Sequence, residues 1–336
     1  MINAQEAFDV GARLAIAHEA NFAPSVHNIQ PARFRFLDDG AIAVLEDRRR
    51  RLPVADPHGS DSWKSLGAAA EGLAMALSAR GFAAHVVWSE ADAAEPLRTV
   101  ARVTVAGDVA PDRLRSLAAQ RATWRGPFAA RDVTAERALD AIRGADDLTL
   151  VEDRDAIADI ARRYDDANIA TLRDTAYRLE LRAWMRLSRF HANWSRDGLN
   201  ARAMGMSAAE AFGADIVLGK RAFGLFDGMG VASALTAEAP RVRSAAAVGL
   251  FHRPAEEHDF DTGRRFYRLW LEIEAAGLVL CPMSVLADMK DHAQALKRAF
   301  GVDDARKLVT VFRIGRRPAH ARPPRRARLP AHKLLV

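Results

Sequence analysis

A chain of 336 residues with 49% hydrophobic and 27% charged side chains is ordinary for a globular protein and long enough for a large core. Its net charge of +6 rests on arginine, with only six lysines among 49 basic residues, and those arginines are scattered rather than interleaved with aromatic platforms, which argues against a nucleic-acid surface. A single cysteine, Cys281, excludes an internal disulfide and a thiolate cluster, and no apolar run approaches the roughly 18 residues of a membrane helix.

Taken in chain order, residues 5–22 read as a helix with Ala7, Val10, Leu14 and Ala17 on one face. Strands Arg33–Leu37 and Ala41–Glu46 flank Asp38-Asp39-Gly40, a hairpin-type turn. Ser60 reads as the N-cap of a helix running to Arg80 and stopped by Gly81, with Trp63, Leu66, Leu73 and Leu77 turned inward. Strands His85–Ser89 and Val100–Ala106 close a first half, residues 1–107.

The second half, residues 108–336, opens with a short helix Pro111–Ala119 and another capped by Thr134 and stopped by Gly144. Strand Leu148–Val151 leads into a helix from Arg154 to about Arg189, and residues 195–240, rich in Gly, Ala and Met with weak periodicity, read as a mobile connection. Strand Val242–His252, an amphipathic helix Thr262–Ala276, the segment Leu278–Leu280, a helix Asp291–Phe300 and strand Val309–Gly315 follow. Few linker signals separate the halves, so one integrated unit is expected.

The densest polar motif is Ala23-Pro24-Ser25-Val26-His27-Asn28-Ile29-Gln30-Pro31. Two prolines stiffen its ends, and between them a hydroxyl, an imidazole and two carboxamides can meet the mixed donor and acceptor edge of a heterocycle. The same residues also suit an Asx-type turn closing the first helix. Arg121 and Arg125, four apart with Thr123 between them, share a face on a helical turn. Two guanidinium groups and a hydroxyl suit a phosphate monoester, though a solvated basic turn has the same composition.

The loop resembles the Ala-Pro-Ser-x-x-Asn-x-Gln-Pro element of the nitroreductase superfamily of FMN proteins, with Ala32 where an aromatic residue usually follows. Three further segments resemble that superfamily in the expected order. Arg121-Ala122-Thr123-Trp124-Arg125 is similar to its Arg-x-Ser/Thr-x-Arg element, which implies a grip on the FMN phosphate. Ala276 to Val285 is similar to the segment passing over the flavin, implying contacts from Pro282, Met283, Ser284 and Val285, with a backbone N–H of Ser284 or Val285 aimed at flavin N5. Arg326-Ala327-Arg328-Leu329-Pro330 is similar to the C-terminal basic element, implying that Arg326 and Arg328 add charge at the phosphate. Ser25, His27, Asn28 and Gln30 would then serve the ring.

The resemblance implies an α+β fold with a central, mostly antiparallel sheet flanked by helices. The first half carries the loop and the second carries the arginines, as in an internally duplicated pseudo-dimer keeping one flavin site. A monomer of that kind, or a homodimer, is expected. The activity implied is FMN-dependent reduction of nitroaromatic or quinone-like acceptors by NAD(P)H, the flavin itself performing the redox step, so no side chain is named as catalytic. Alternatives are flavin-dependent dehydrogenation or oxidation of a small molecule, or FMN binding without turnover. Met1 to Glu6 lack a leader pattern, so a cytoplasmic protein is expected. Gly224, Gly228 and Gly230 match no dinucleotide fingerprint, and His252, Glu256, Glu257 and His258 suit no standard metal spacing. Arg196-Asp197-Gly198-Leu199 reads as a turn or as part of a lid.

Overall fold

The computed structural model describes residues 8–90, 96–324 and 326–336. Helix α1 (Val10–Ala20) is capped by Asp9, whose carboxylate accepts from the Ala12 amide; residues 5–7 of the helix expected over 5–22 lie outside the described residues. After a 3-10 turn at Val26–Asn28 come strands β1 (Ala32–Phe36) and β2 (Ile42–Asp47), joined through Gly40 at φ 83°. Helix α2 (Ser60–Ser78) starts one residue earlier than the sequence suggested: Gly59 is its N-cap and Ser60 its first helical residue. Strands β3 (Phe82–Trp88) and β4 (Leu97–Asp108) complete an antiparallel sheet in the order β1-β2-β4-β3.

Only Arg115–Ala118 is helical in the 111–119 segment (α3), and helix α4 (Val133–Asp140) is capped by Asp132 rather than Thr134, its carboxylate accepting from Ala135. After β5 (Leu148–Val151), the helix expected through Arg189 divides into α5 (Arg154–Arg173) and α6 (Thr175–Trp184). Asp174 makes the break by accepting from the amides of Ala176 and Tyr177. The two-residue strands β6 (Met185–Arg186) and β7 (Leu199–Asn200) pair in parallel.

Instead of a structureless connection, residues 195–240 carry helices α7 (Ala208–Val217), α8 (Ala222–Gly228) and α9 (Val231–Thr236). Helix α10 (Ala239–Arg243) takes up the start of the strand expected at Val242, so β8 runs from Ala247 to Pro254. Helix α11 (Asp259–Ala275), β9 (Val279–Pro282), α12 (Val285–Asp288), α13 (Lys290–Ala299) and β10 (Arg306–Gly315) follow.

The hydrogen-bond pattern gives not one central sheet but two, each of four antiparallel strands, the second in the order β5-β8-β10-β9. In both, the chain-order sequence across the sheet is first, second, fourth, third, with one long helix (α2 or α11) between the second and third strands. The two helices pack directly on each other. A Cβ on Gly67 would lie 1.8 Å from the Phe260 carbonyl oxygen, and one on Gly263 would lie 2.0 Å from the Lys64 carbonyl oxygen. The contacts are reciprocal, each glycine standing three residues after the carbonyl its partner meets.

Helix α11 therefore serves two cores. Phe260, Tyr267 and Leu271 join the core of the first sheet with Phe34, Ile42, Leu66 and Leu73. Leu269, Trp270 and Ile273 join that of the second with Leu148, Phe251 and Phe312. The C-terminal segment returns to the first sheet, where Phe34 N–H donates to Leu334 O at 2.8 Å and Phe34 O accepts from the Val336 amide at 3.1 Å. No helix among the described residues is long and apolar enough to cross a membrane.

Candidate functional site

The helix pair α2 and α11 forms one wall of a cavity of about 280 Å³, through Asp61, Lys64 and Ser65 from one helix and Gly263, Phe266 and Trp270 from the other. Around that wall the fold gathers the motif residues Ser25, His27, Asn28, Arg121, Thr123, Arg125, Pro282, Ser284, Arg326 and Arg328. Segments nearly 300 residues apart in sequence thus meet in one place. Gln30, Met283 and Val285 do not line it.

The loop is held in an unusual backbone conformation. His27, Asn28 and Gln30, at φ 44°, 56° and 51°, are the non-glycine residues with positive φ among the described residues. Such conformations cost about 1–3 kcal/mol each and persist only where surrounding contacts impose them. Those contacts are visible. The Ser25 hydroxyl accepts from the Gln30 amide at 3.0 Å. Asn28 Nδ2 donates to Gly198 O and Ala327 O, both at 3.1 Å, and its Oδ1 accepts from Arg328 at 2.7 Å. Gln30 Oε1 accepts from Asn21 and from the Leu329 amide, while Nε2 donates to Arg196 O at 2.9 Å. Both carboxamides thus tether the loop within the protein, and Asn28 also lines the cavity. His27 keeps a buried, unpartnered Nδ1, and burial, with Arg125 adding to it and Asp61 opposing, lowers its pKa to about 4. It is a neutral imidazole at physiological pH.

Four arginines converge at the other side of the cavity. Arg121 is almost fully buried, its guanidinium carbon 4.3 Å from the centre of the Trp270 ring, and among the described residues it donates only to Phe22 O at 3.3 Å. Arg328 donates to Asn28 and to the carbonyls of Phe22 and Ala23. Arg326 donates to the carbonyls of Ala118 and Ala119, and Arg125 to Ala203 O. Among the described residues none of the four pairs with a carboxylate, and Nε of both Arg121 and Arg328 is buried without a partner. Burial first, then the neighbouring guanidinium groups, lowers the pKa of Arg326 to about 10 and that of Arg328 well below its ordinary value. Glu274 offers little compensation. Burial raises its pKa to about 7 against the pull of Arg121 and an N–H from Ala122. Uncompensated buried guanidinium groups are costly unless an anion joins them, and their forked donors suit a phosphate.

A strap closes over the cavity. Gly198, Leu199 and Ala203 line it, and the strap is tied down at Ser195 O by the Arg328 amide, at Arg196 O by Gln30, at Gly198 O by Asn28 and at Ala203 O by Arg125. Arg196 lies in a turn and Asp197 and Gly198 in a bend, and Gly198 and Leu199 face the cavity. Opposite the arginines, Lys64 and Asp61 pair at 2.7 Å. Burial works to lower the Lys64 pKa, but Asp61 and the nearby Asp259 and Asp288 outweigh it and raise it. Sequence reasoning missed this helix wall, although an Asp61–Lys64 pair in a helix otherwise facing a core was a visible signal.

No family profile and no curated protein sequence matches this chain. Among solved structures it is similar to the FMN and NADPH-dependent nitroreductase NfnB from Sphigopyxis sp. strain HMH, at 16% identity over 62% of this chain and 91% of that one, with a TM-score of 0.31. The FMN-dependent nitroreductase NfnB from Mycobacterium smegmatis, solved in complex with NADPH, is 18% identical over 60% of this chain and 86% of that one, with a TM-score of 0.34. A candidate nitroreductase of Anabaena variabilis is 10% identical, with 94% of this chain and 92% of that one covered and a TM-score of 0.40. These likenesses are distant, and the functional reading rests on the site's own chemistry.

Proposed function

We propose that this protein is an FMN-dependent oxidoreductase that takes electrons from NAD(P)H and passes them to nitroaromatic or quinone-like acceptors. The observation that carries the reading is the convergence of Arg121, Arg125, Arg326 and Arg328 on one cavity without a carboxylate partner among the described residues. That donor set fits a phosphate monoester, with Thr123 adding a hydroxyl. Trp270 and Phe266 supply apolar wall, and His27 and Ser284 line the cavity as polar residues for a flat heterocycle. Asn28 and Gln30 hold the loop that presents Ser25 and His27. Pro282 shapes the wall, buried Met283 supports it from behind, and the backbone N–H of Ser284 or Val285 is the donor assigned to the ring. Bound FMN would supply hydride and electron transfer, and the protein would position it, exclude water and tune its potential.

The identical strand order of the two sheets and the reciprocal Gly67–Phe260 and Gly263–Lys64 contacts support an internal duplication, with halves near residues 1–107 and 108–336. A chain of that kind carries both sides of its site and would work as a monomer, a homodimer being the alternative.

The test is direct. Purified protein should carry or take up FMN, read by visible absorbance and flavin fluorescence, and changing Arg121 and Arg326 together to Ala should abolish uptake; FMN affinity unchanged in that variant removes the assignment. Anaerobic mixing with NADH or NADPH should bleach the flavin rapidly, whereas absence of bleaching points to oxidation of a small molecule. The tied-down strap specifically favours a second reading, flavin held without turnover. Stoichiometric FMN with no turnover on any quinone, nitroaromatic or oxygen would establish it.

A further inference from the structure

A second cavity of about 540 Å³ lies behind the 27–30 loop, and nothing in the proposed reaction uses it. It draws on the arginine cluster that follows β2. Asp47 accepts from Arg33 at 2.9 Å and from Arg49 at 2.7 Å. Asp197 accepts from Arg50 at 2.5 Å and from Arg186 at 2.8 Å. Each carboxylate is thus shared between two guanidinium groups, leaving net positive charge at both positions.

Two further cations line the same cavity, Arg196 and Lys333, and neither forms an ion pair among the described residues. Arg49 has a side chain 69% exposed while still gripping Asp47. The cavity is built rather than adventitious. Asp47 and Asp197 are buried, Arg33 donates to Gln30 O at 3.0 Å, and Arg50 donates to Ile29 O. A concave basic surface on low-dielectric walls concentrates anions. Trp184 and Asn193 also line it, the Trp184 ring already facing the Arg50 and Arg186 guanidinium groups at 5.4 Å, and together they offer an aromatic edge and a carboxamide to a heterocyclic base.

We propose that this second cavity binds a phosphorylated nucleoside, with the phosphates at Arg49, Arg196 and Lys333 and the base towards Trp184. The inference does not depend on what the first cavity holds. Isothermal titration of the full chain with pyrophosphate, ADP and adenosine tests it. Beyond any anion taken up by the first cavity, the component of binding lost in Arg196→Ser with Lys333→Ser should be one site per chain, tighter for ADP than for pyrophosphate and weakest for adenosine, and its affinity should fall as salt is raised. Arg196→Ser with Lys333→Ser should weaken ADP by about tenfold or more, while Arg121→Ser, in the first cavity, should leave it unchanged. The proposal is overturned by no binding of ADP, by ADP affinity unchanged in the Arg196/Lys333 variant, or by binding lost with Arg121→Ser but kept in that variant. Pyrophosphate binding as tightly as ADP would overturn the nucleoside part.

Discussion

The packing of α2 on α11 makes a prediction whose sign is unusual for a helical glycine. Replacing glycine by alanine within a helix ordinarily stabilises by about 1 kcal/mol through backbone entropy and propensity. At Gly263 the new Cβ would stand 2.0 Å from the Lys64 carbonyl oxygen and 2.6 Å from its carbon, both backbone atoms that cannot rotate away. Reaching the 3.4 Å of ordinary contact requires the helices to part by about 1.4 Å, which loosens the contacts that dispersion and burial maintain between them. Overpacking of this kind costs about 1–3 kcal/mol, and rigid backbone puts it at or beyond the top of that range. After the propensity gain, Gly263→Ala should destabilise by about 2 kcal/mol, a fall of about 3 °C in melting temperature for a chain of this length.

Gly67→Ala should behave alike, with its Cβ 1.8 Å from Phe260 O. Because either substitution separates the same helix pair, the double variant should cost less than the two singles combined, by about 1 kcal/mol or more. Gly213, inside α7 with nothing within 4 Å of its added Cβ, is the control and should stabilise on change to Ala. Urea unfolding of the four variants is the assay. Gly263→Ala at or above wild-type stability, or full additivity of the pair, refutes the reciprocal close contact.

The buried arginines yield a second prediction: Arg121→Met, which replaces an unpaired buried cation by an apolar side chain, should raise ligand-free stability by about 1–2 kcal/mol while weakening anion binding; a lower melting temperature without ligand counts against it. Inorganic phosphate should raise the wild-type melting temperature progressively, as any ligand of the native state does, and the rise should vanish in a variant with Arg121 and Arg326 both changed to Ala. The His27 pKa is lowered to about 4 by burial, so its unfolded form binds the proton better and stability falls on acidification from about pH 6.5. Burial raises Glu274 to about 7, the opposite case, so stability falls as pH rises from about 4.5 to 7. Relative to wild type, the stability of His27→Gln should decline with rising pH by up to about 1.4 kcal/mol per unit, and that of Glu274→Gln should climb; profiles parallel to wild type, from denaturant titrations across this range, would remove both assignments.

What the sequence disclosed follows from how local each feature is. The Pro24–Pro31 loop and the Arg121, Arg125, Arg326 and Arg328 elements were readable because their residue types are rare in combination. Their meeting in one cavity is a tertiary fact that only the fold supplies. The caps were readable to within two residues: Asp132 and Thr134 are both good N-cap residues, and the structure uses Asp132. The α11 side of the wall was not readable as a site, because Phe266 and Trp270 show the same spacing whether they fill a core or line a cavity. The strap at 195–203 was harder still. It is held through its carbonyl oxygens, which every residue type possesses, so periodicity and composition carry no trace of it.

The same distinction applies to Asn28 and Gln30. A carboxamide next to a ligand loop can serve the ligand or the loop, and the sequence is identical in either case. Three positive φ values within four residues decide the matter here, since a backbone so held needs tethers at each side. Asn28 and Gln30 reach Gly198, Ala327, Leu329 and Arg196. The loop, the strap and the C-terminal arginine segment are therefore one hydrogen-bonded assembly. An anion on Arg328 would bear on Asn28 directly, because the guanidinium that would hold it already donates to Asn28 Oδ1 at 2.7 Å. Arg125, another of the four arginines, itself donates to Ala203 O of the strap, so an anion held by the cluster would bear on the strap at both points.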